Sequence, residues 1–187
     1  MEQYRAALRL DPLNDPAKYR LSRVLWQSRR FQESIENYER YNIKAIEEAI
    51  PLLYLGRRKE AWDLVAELAP EVGRAFRSSE DFPAVRALLF ASEGNARNAE
   101  REIKEAVRLG KTDDHFHHAA FVIAAAYAEM GKPHDEVLWL RRTSQIGMPN
   151  LPLFRDNPSM KKLSGNPEYE HFMAEFRPRW DHFAASL

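Results

Sequence analysis

Apolar residues recur along this chain at the spacing of α-helices. Phe31, Ile35 and Tyr38 follow one another at i, i+4 and i+7, which places their side chains on one helix face. Such helices come in pairs, in which an apolar helix ends at a glycine or a short basic turn and an amphipathic helix follows. The pairs span residues 25–41, 54–68, 90–106 and 127–140. This pattern predicts an all-α chain made of helix-turn-helix units.

The turn glycines give the length of the repeating unit. Gly56, Gly94 and Gly131 lie 38 and 37 residues apart. A period between about 20 and 50 residues is typical of solenoids, in which each unit stacks on its neighbours. We therefore expect about four helical repeats in residues 1–146, the first of them partial, followed by a proline-containing strap and C-terminal capping helices in residues 147–187.

Pro51 interrupts a segment whose apolar residues predict a helix from Ile43 to Leu55. Inside a helix a proline removes one hydrogen bond and clashes with the preceding turn, at a cost of about 3 kcal/mol. We expect a kink or a restarted helix at Pro51. The alternative is one long helix from Phe31 to Ile50, which would make this part of the array irregular.

The last helix, predicted over residues 167–184, begins after a capping signal. Asn166 precedes Pro167, an order that suits the N-cap and the first helical position. The helix carries apolar residues at i, i+3 and i+4 spacing: Tyr169, Phe172, Phe176, Trp180 and Phe183. We expect this helix to lie over the open end of the array and to cap it.

The charge balance excludes several classes of partner. Lys plus Arg and Asp plus Glu both number 28, so the formal net charge is zero and no overall field attracts nucleic acid. No apolar run approaches the roughly 20 residues of a membrane span. The chain has no cysteine, which excludes disulfides and thiolate sites. We predict a cytoplasmic protein with neither nucleic acid nor membrane as a partner.

Histidines form the one cluster with the residue types of a metal site. The cluster comprises His115, His117, His118 and His134 with Asp113 and Asp114. Since His117 and His118 are adjacent, they would point about 100° apart around a helix rather than converge on one ion. We expect surface groups here and no cofactor, and an enzyme with a metal at these histidines is the least favoured alternative.

Acid–base chemistry has no better candidate in this sequence. The acidic pairs Glu47-Glu48 and Asp113-Asp114 would need desolvation in a cleft to act as general acid and base, and we expect them on solvated faces. No nucleophile elbow, phosphate-binding glycine loop or His-Glu-x-x-His sequence is present. We therefore predict a protein that is not an enzyme.

Two segments resemble the tetratricopeptide repeat (TPR) family. Leu53-Tyr54-Leu55-Gly56-Arg57-Arg58-Lys59-Glu60-Ala61-Trp62 and Phe90-Ala91-Ser92-Glu93-Gly94-Asn95-Ala96-Arg97-Asn98-Ala99 are similar to the turn and second-helix start of that repeat. Small residues occupy the slot where paired helices touch closely: Ser22, Ala49, Ala87 and Ala124. The sequence departs from the repeat where Arg29 replaces a turn glycine. The resemblance implies a right-handed superhelical array of antiparallel helix pairs.

The end of the chain has a narrower resemblance. Residues 116–131 and 153–180 are similar to the C-terminal TPR regions of bacterial serine/threonine kinases, adenylate cyclases and winged-helix regulators. At the other end, residues 4–14 have the pattern of a closing helix whose opening partner is missing. The resemblance implies a bacterial signalling module that is a fragment of a larger protein, with the signalling domain upstream.

The TPR resemblance also implies a binding groove, because the first helix of each TPR hairpin lines a concave face. Carried over to this sequence, it nominates Tyr19, Arg23, Trp26, Gln27, Tyr54, Leu88, Phe121 and Glu129, together with Ile46, Ile50 and Leu53. Aromatic residues and arginine are strong anchors for a protein partner. The alternative is that several of these residues belong to the core.

The predicted function follows from the fold and this surface. We expect a non-catalytic scaffold that binds a peptide or a protein segment in its groove. The alternative is a self-associating regulatory module, a homodimer formed through apolar surface that Pro51 exposes near residues 42–56.

Overall fold

The computed structural model describes residues 1–71, 80–110 and 115–185, and these residues form helices joined by turns. The chain divides into an N-terminal unit, Met1–Glu71, and a C-terminal unit, Val72–Leu187. The all-α prediction is therefore confirmed for the described residues. The boundary predicted after residue 146 falls inside the C-terminal unit, and the division into stacked repeats stays a prediction.

The N-terminal unit consists of helices that each pack against the next along the chain. They are α1 (Glu2–Leu10), α2 (Asp15–Gln27), α3 (Phe31–Arg40), a 3₁₀ helix (Ile46–Glu48), α4 (Ala49–Tyr54) and α5 (Arg58–Leu68), followed by a short 3₁₀ turn (Ala69–Glu71). The core lies between α2, α3 and α4, where Leu25, Ile35 and Ile50 are buried. The periodic apolar positions of the sequence are thus the residues that hold these helices together.

Pro51 lies in the first turn of α4, two residues after the helix begins. The chain leaves α3 at Arg40, turns, and restarts through the 3₁₀ helix before α4. In a first turn the missing N–H of proline has no helical acceptor to lose, so the residue is tolerated there. The restarted helix is confirmed. The alternative of one helix from Phe31 to Ile50 is wrong.

The C-terminal unit contains two longer helix pairs and a C-terminal segment. Its helices are α6 (Asp81–Ser92), α7 (Ala96–Leu109), α8 (His117–Glu129), α9 (Pro133–Gln145), α10 (Leu151–Asp156), a 3₁₀ helix (Met160–Leu163) and α11 (Pro167–Ala184). Helix α6 packs against both α7 and α8, and α8 packs against α9. The last helix, α11, packs against α9 and α10, and the side chain of Asn166 caps it through the N–H groups of Glu168 and Tyr169.

Aromatic rings join the C-terminal segment to this unit. The ring of Phe154 stacks at 6.0 Å from that of Phe121 on α8, and it contacts Phe176 on α11 at 5.4 Å between centroids. Phe154 is fully buried. Because each large ring removes so much apolar area from water, this cluster fixes α10 and α11 on the unit.

The small residues that the sequence places between paired helices are buried in the structure. Ser22, Ala49, Ala87 and Ala124 lie on α2, α4, α6 and α8, and all have 0% exposure. Ser22 keeps its polar atoms satisfied, because its hydroxyl accepts a hydrogen bond from Asn37 Nδ2 at 2.7 Å. A larger side chain at any of these positions would push two packed helices apart.

The same left-handed turn ends α2, α4, α6 and α8. In these four turns the residue with positive φ is Arg29 (62°), Gly56 (78°), Gly94 (75°) or Gly131 (66°), and Asn42 (48°) adopts a similar conformation after α3. In each turn the next residue donates its N–H to a carbonyl five positions back, as Asn95 does to Phe90 at 2.9 Å. This is a Schellman-type C-cap, which favours glycine because a Cβ is strained at positive φ. Arg29 is therefore a structural equivalent of the turn glycines.

We predict opposite effects on stability at two of these turns. Gly94→Ala should lower the free energy of unfolding by about 1 kcal/mol, since a left-handed alanine is strained. No atom lies within 4 Å of an added Cβ at Gly94, so this loss would come from the backbone alone. Arg29→Gly should raise stability by up to about 1 kcal/mol through relief of the same strain.

Urea denaturation checks both values. Ser28→Gly is the matched control for Arg29→Gly, because Ser28 has a negative φ of −93°. Ser28→Gly should relieve no backbone strain. It should lower the free energy of unfolding slightly, because glycine gives the unfolded chain more conformational freedom. Equal effects of the two glycine substitutions would contradict the turn assignment.

Candidate binding surface

The predicted groove residues fall into two groups by exposure. Trp26, Leu88 and Phe121 are buried, with 4%, 1% and 2% of their surfaces exposed. They contribute to the cores of their units, which is the alternative that the sequence left open. Ile46, Ile50 and Leu53 are also buried. The other predicted residues are half-buried: Tyr19, Arg23, Gln27, Tyr54 and Glu129. Partner binding at these positions stays a prediction.

A polar cluster joins α2 to the 3₁₀ helix before α4. The Tyr19 hydroxyl donates to Glu47 Oε1, and the guanidinium of Arg23 pairs with the same carboxylate. Arg23 also lies over the Tyr19 ring, 4.8 Å from its centroid. The two predicted groove residues are therefore held in place by Glu47. Their own orientation, and through it the shape of the α2 surface, depends on that carboxylate.

The sequence prediction for Glu47 was wrong. We expected a solvated acidic face, but Glu47 is buried, with 5% of its surface exposed. Burial and the neighbouring Glu47 raise the pKa of the Tyr38 hydroxyl well above its ordinary value. At Glu48, burial raises the carboxyl pKa to about 7. Glu47 and Glu48 are thus partly removed from water, and the positive charge of Arg23 compensates the carboxylate of Glu47.

Gln27, Tyr54 and Glu129 occupy equivalent places. Each lies two residues before the left-handed residue of its turn, and each is half-buried. The Tyr54 ring contacts Phe31 at 5.2 Å between centroids. These three predicted site residues therefore share one position of the helix-turn unit, and their spacing from Arg29, Gly56 and Gly131 is already visible in the sequence.

In the C-terminal unit this position is covered. Glu129 Oε1 accepts from the Ser159 hydroxyl at 2.7 Å, and Glu129 Oε2 pairs with Lys162. The Glu129 side chain is only 7% exposed as a result. Residues of the 3₁₀ segment thus bind a carboxylate that the TPR resemblance assigns to a partner. Local sequence patterns carry no indication of this contact, because it joins positions 30 and 33 residues apart.

Three of the predicted histidines lie near one another, whereas the fourth lies elsewhere. The ring centroid of His117 is 4.1 Å from that of His118 and 6.0 Å from that of His115, but His134 Nδ1 lies 2.8 Å from Glu168 Oε1. Asp113 and Asp114 lie outside the described residues. Among residues 1–71, 80–110 and 115–185, no group of three histidine or acidic side chains could hold a metal ion.

Glu136 on α9 is a buried carboxyl that the sequence did not single out. It has 0% exposure, and neither carboxyl oxygen has a hydrogen-bond partner among the described residues. Burial, with a smaller contribution from Glu168, raises the pKa of Glu136 to about 8. At neutral pH the neutral acid is therefore the favoured form, because an ion in this place has no compensating charge.

Comparisons with known proteins do not identify a family. The chain matches no protein-family model, and a search of curated proteins finds none that is similar to it. None of the described helices has the length and apolar character needed to cross a membrane. The TPR resemblance therefore stays a prediction from the sequence.

We predict that Glu47 and Glu48 respond differently to neutralisation. Glu47→Gln should lower the free energy of unfolding by about 3 kcal/mol, since it leaves the Arg23 charge buried without its partner. Glu48→Gln is the matched control, and at pH 8 it should be neutral or stabilising because it removes a desolvated carboxylate. Chemical denaturation of both variants at pH 8 checks this. Equal losses would contradict the role of Glu47.

Glu136 should make stability pH-dependent. Its pKa is about 8 in the folded protein and near 4.5 in the unfolded chain, so the folded state holds the proton more tightly. The contribution of protonated Glu136 to the free energy of unfolding is present in full below pH 4.5. It is lost as the pH rises to 8, by up to about 1.4 kcal/mol per pH unit. Glu136→Gln should remove this loss.

The measurement is the difference in unfolding free energy between wild type and Glu136→Gln from pH 5 to pH 8. The variant should gain relative to the wild type as the pH rises. Asp181→Asn, at an exposed position of α11, is the control and should show no such gain. A constant difference across this range would contradict the burial of an unpaired carboxyl.

Proposed function

We propose that this chain is a non-catalytic protein-interaction module built from TPR-like helix pairs, and that it binds a peptide or protein segment. The observation that carries the proposal is the recurrence of one turn geometry at the ends of α2, α4, α6 and α8. A chain that repeats a helix-turn-helix unit presents equivalent positions again and again, which suits recognition of an extended partner.

The surface of the N-terminal unit is the best candidate for that contact. Tyr19, Gln27 and Tyr54 keep part of their side chains exposed, and Arg23 and Glu47 fix the first of them. A tyrosine with a restrained orientation loses little entropy when a partner covers it, and its ring and hydroxyl offer both apolar and polar contact. Arg23 packs over the Tyr19 ring, and Trp26 lies buried in the same helix.

Self-association through the apolar run near Pro51 is less well supported. Ile46, Ile50 and Leu53 are buried within the N-terminal unit, at 4%, 2% and 7% exposure. A side chain that is already covered offers no apolar area to a second copy.

We further propose that this module belongs to a bacterial signalling protein in the cytoplasm, because this is what the resemblance of its C-terminal segment implies.

The test is selection of binders from a displayed library of random peptides. Selected peptides should lose about tenfold in affinity for a Gln27→Ala/Tyr54→Ala variant, since removal of an anchor commonly costs more than 1 kcal/mol. Gln32→Ala, at an exposed site on α3, is the matched control and should bind as the wild type does. Circular dichroism verifies that each variant is folded.

Two results would contradict the proposal. One is a selection that yields no peptide with reproducible affinity. The other is a set of peptides whose affinity is unchanged in the Gln27→Ala/Tyr54→Ala variant and in variants of the other exposed helix faces. Trp26 and Arg23 are left unchanged in this test, because substitution of either would disturb folding as well as binding.

A further inference from the structure

A groove opens between α1 and α3 of the N-terminal unit, and Tyr19, Gln27 and Tyr54 are not among the residues that line it. Its volume is about 370 Å³. The residues that line it come from α1, α2 and the end of α3: Arg5, Leu8, Arg9, Leu21, Leu25, Glu33, Glu36, Asn37, Arg40 and Tyr41. We call it the α1–α3 groove. It combines an apolar floor with charged walls, the composition of a recognition site.

The charges of the α1–α3 groove are not balanced. Glu33 pairs with Arg30 and lies 3.8 Å from Arg5, so that these charges have partners. Arg9 and Arg40 are exposed and form no ion pair with any residue in the described ranges 1–71, 80–110 and 115–185. Glu36 is the remaining carboxylate, and it accepts a hydrogen bond from Gln32 at 3.1 Å.

The floor of the α1–α3 groove is aliphatic. Leu21 and Leu25 are buried on α2, at 5% and 3% exposure, and Leu8 is half-buried on α1. Directly after Arg9 in the chain, Leu10 is 89% exposed, and Leu13 is 82% exposed. Leu8, Leu21 and Leu25 thus share the groove lining with Arg9 and Arg40, whereas Leu10 and Leu13 lie outside it, and a partner's aliphatic side chain in the groove would be covered favourably.

We propose that the α1–α3 groove binds an acidic segment of a partner protein. Two of its carboxylates pair with Arg9 and Arg40, and an aliphatic side chain between them covers Leu8. Arginine suits this role because its planar fork binds a carboxylate through two parallel hydrogen bonds. The proposal rests on the proposed interaction function, but it assigns a second surface and the charge of the partner.

A protein segment fits this groove better than a nucleic acid does. The chain has a net charge of zero, and the groove walls carry carboxylates beside the arginines. A polyphosphate backbone needs a continuous basic track, and it has no aliphatic group with which to cover leucines. An acidic peptide supplies both kinds of contact within one groove.

The experiment uses the full chain and a fluorescein-labelled peptide, Glu-Glu-Leu-Leu-Glu-Glu, followed by fluorescence anisotropy. Arg9→Gln/Arg40→Gln should weaken binding at least about tenfold, as expected for the loss of two charge-assisted contacts. Arg20→Gln/Arg58→Gln is the matched control: it removes the same charge from exposed positions outside the groove. It should bind the peptide as the wild type does, and Gln-Gln-Leu-Leu-Gln-Gln should bind at least about tenfold more weakly.

Several results would overturn the groove proposal. They are the absence of peptide binding to the wild type, equal losses in the two double variants, and displacement of the peptide by single-stranded RNA at lower concentration than by unlabelled peptide. Loss of binding in Gln27→Ala/Tyr54→Ala alone would also overturn it, while leaving the proposed interaction function intact. Conversely, the random-peptide selection could fail while the acidic peptide still binds. That result would contradict only the proposal that the surface around Tyr54 binds a partner.

Discussion

The left-handed residue at the end of each first helix is the constraint on which the helix pairs depend. It satisfies the last carbonyl groups of one helix and reverses the chain within three residues, so that the next helix packs back on the first. Glycine supplies this conformation at Gly56, Gly94 and Gly131, and Arg29 adopts it at φ 62°. The small residues Ser22, Ala49, Ala87 and Ala124, which have 0% exposure, lie on the helices that these turns end.

The buried carboxyl groups of this protein are of two kinds. Some have a positively charged partner, and others have none among the described residues. Glu47 is paired with Arg23 and with the Tyr19 hydroxyl, so that a desolvated carboxylate holds the exposed part of α2 in one orientation. Glu136 has no such partner among the described residues and is favoured as the neutral acid. The first arrangement supports a surface, whereas the second only costs stability as the pH rises.

The sequence predicted the elements that depend on local chemistry. The helix periodicity, the turn glycines, the restart at Pro51 and the Asn166 cap all follow from residues within one or two turns of each other. It did not predict the burial of Glu47 or the contact of Glu129 with Ser159, since these join segments distant in the chain. An acidic residue in a helix looks the same in sequence whether it faces water or another helix.

The exposed residues that could meet a partner differ in kind between the two faces of the N-terminal unit. Around Tyr54 the surface is aromatic and amide-bearing, and it is held by internal contacts, which favours specific packing with a low entropy cost. In the α1–α3 groove, Arg9 and Arg40 are long, exposed and without ion pairs to the described residues, which favours attraction of an acidic segment at a distance. A single partner that engages both faces would gain affinity from linkage, so a weak contact in the groove is compatible with tight binding overall.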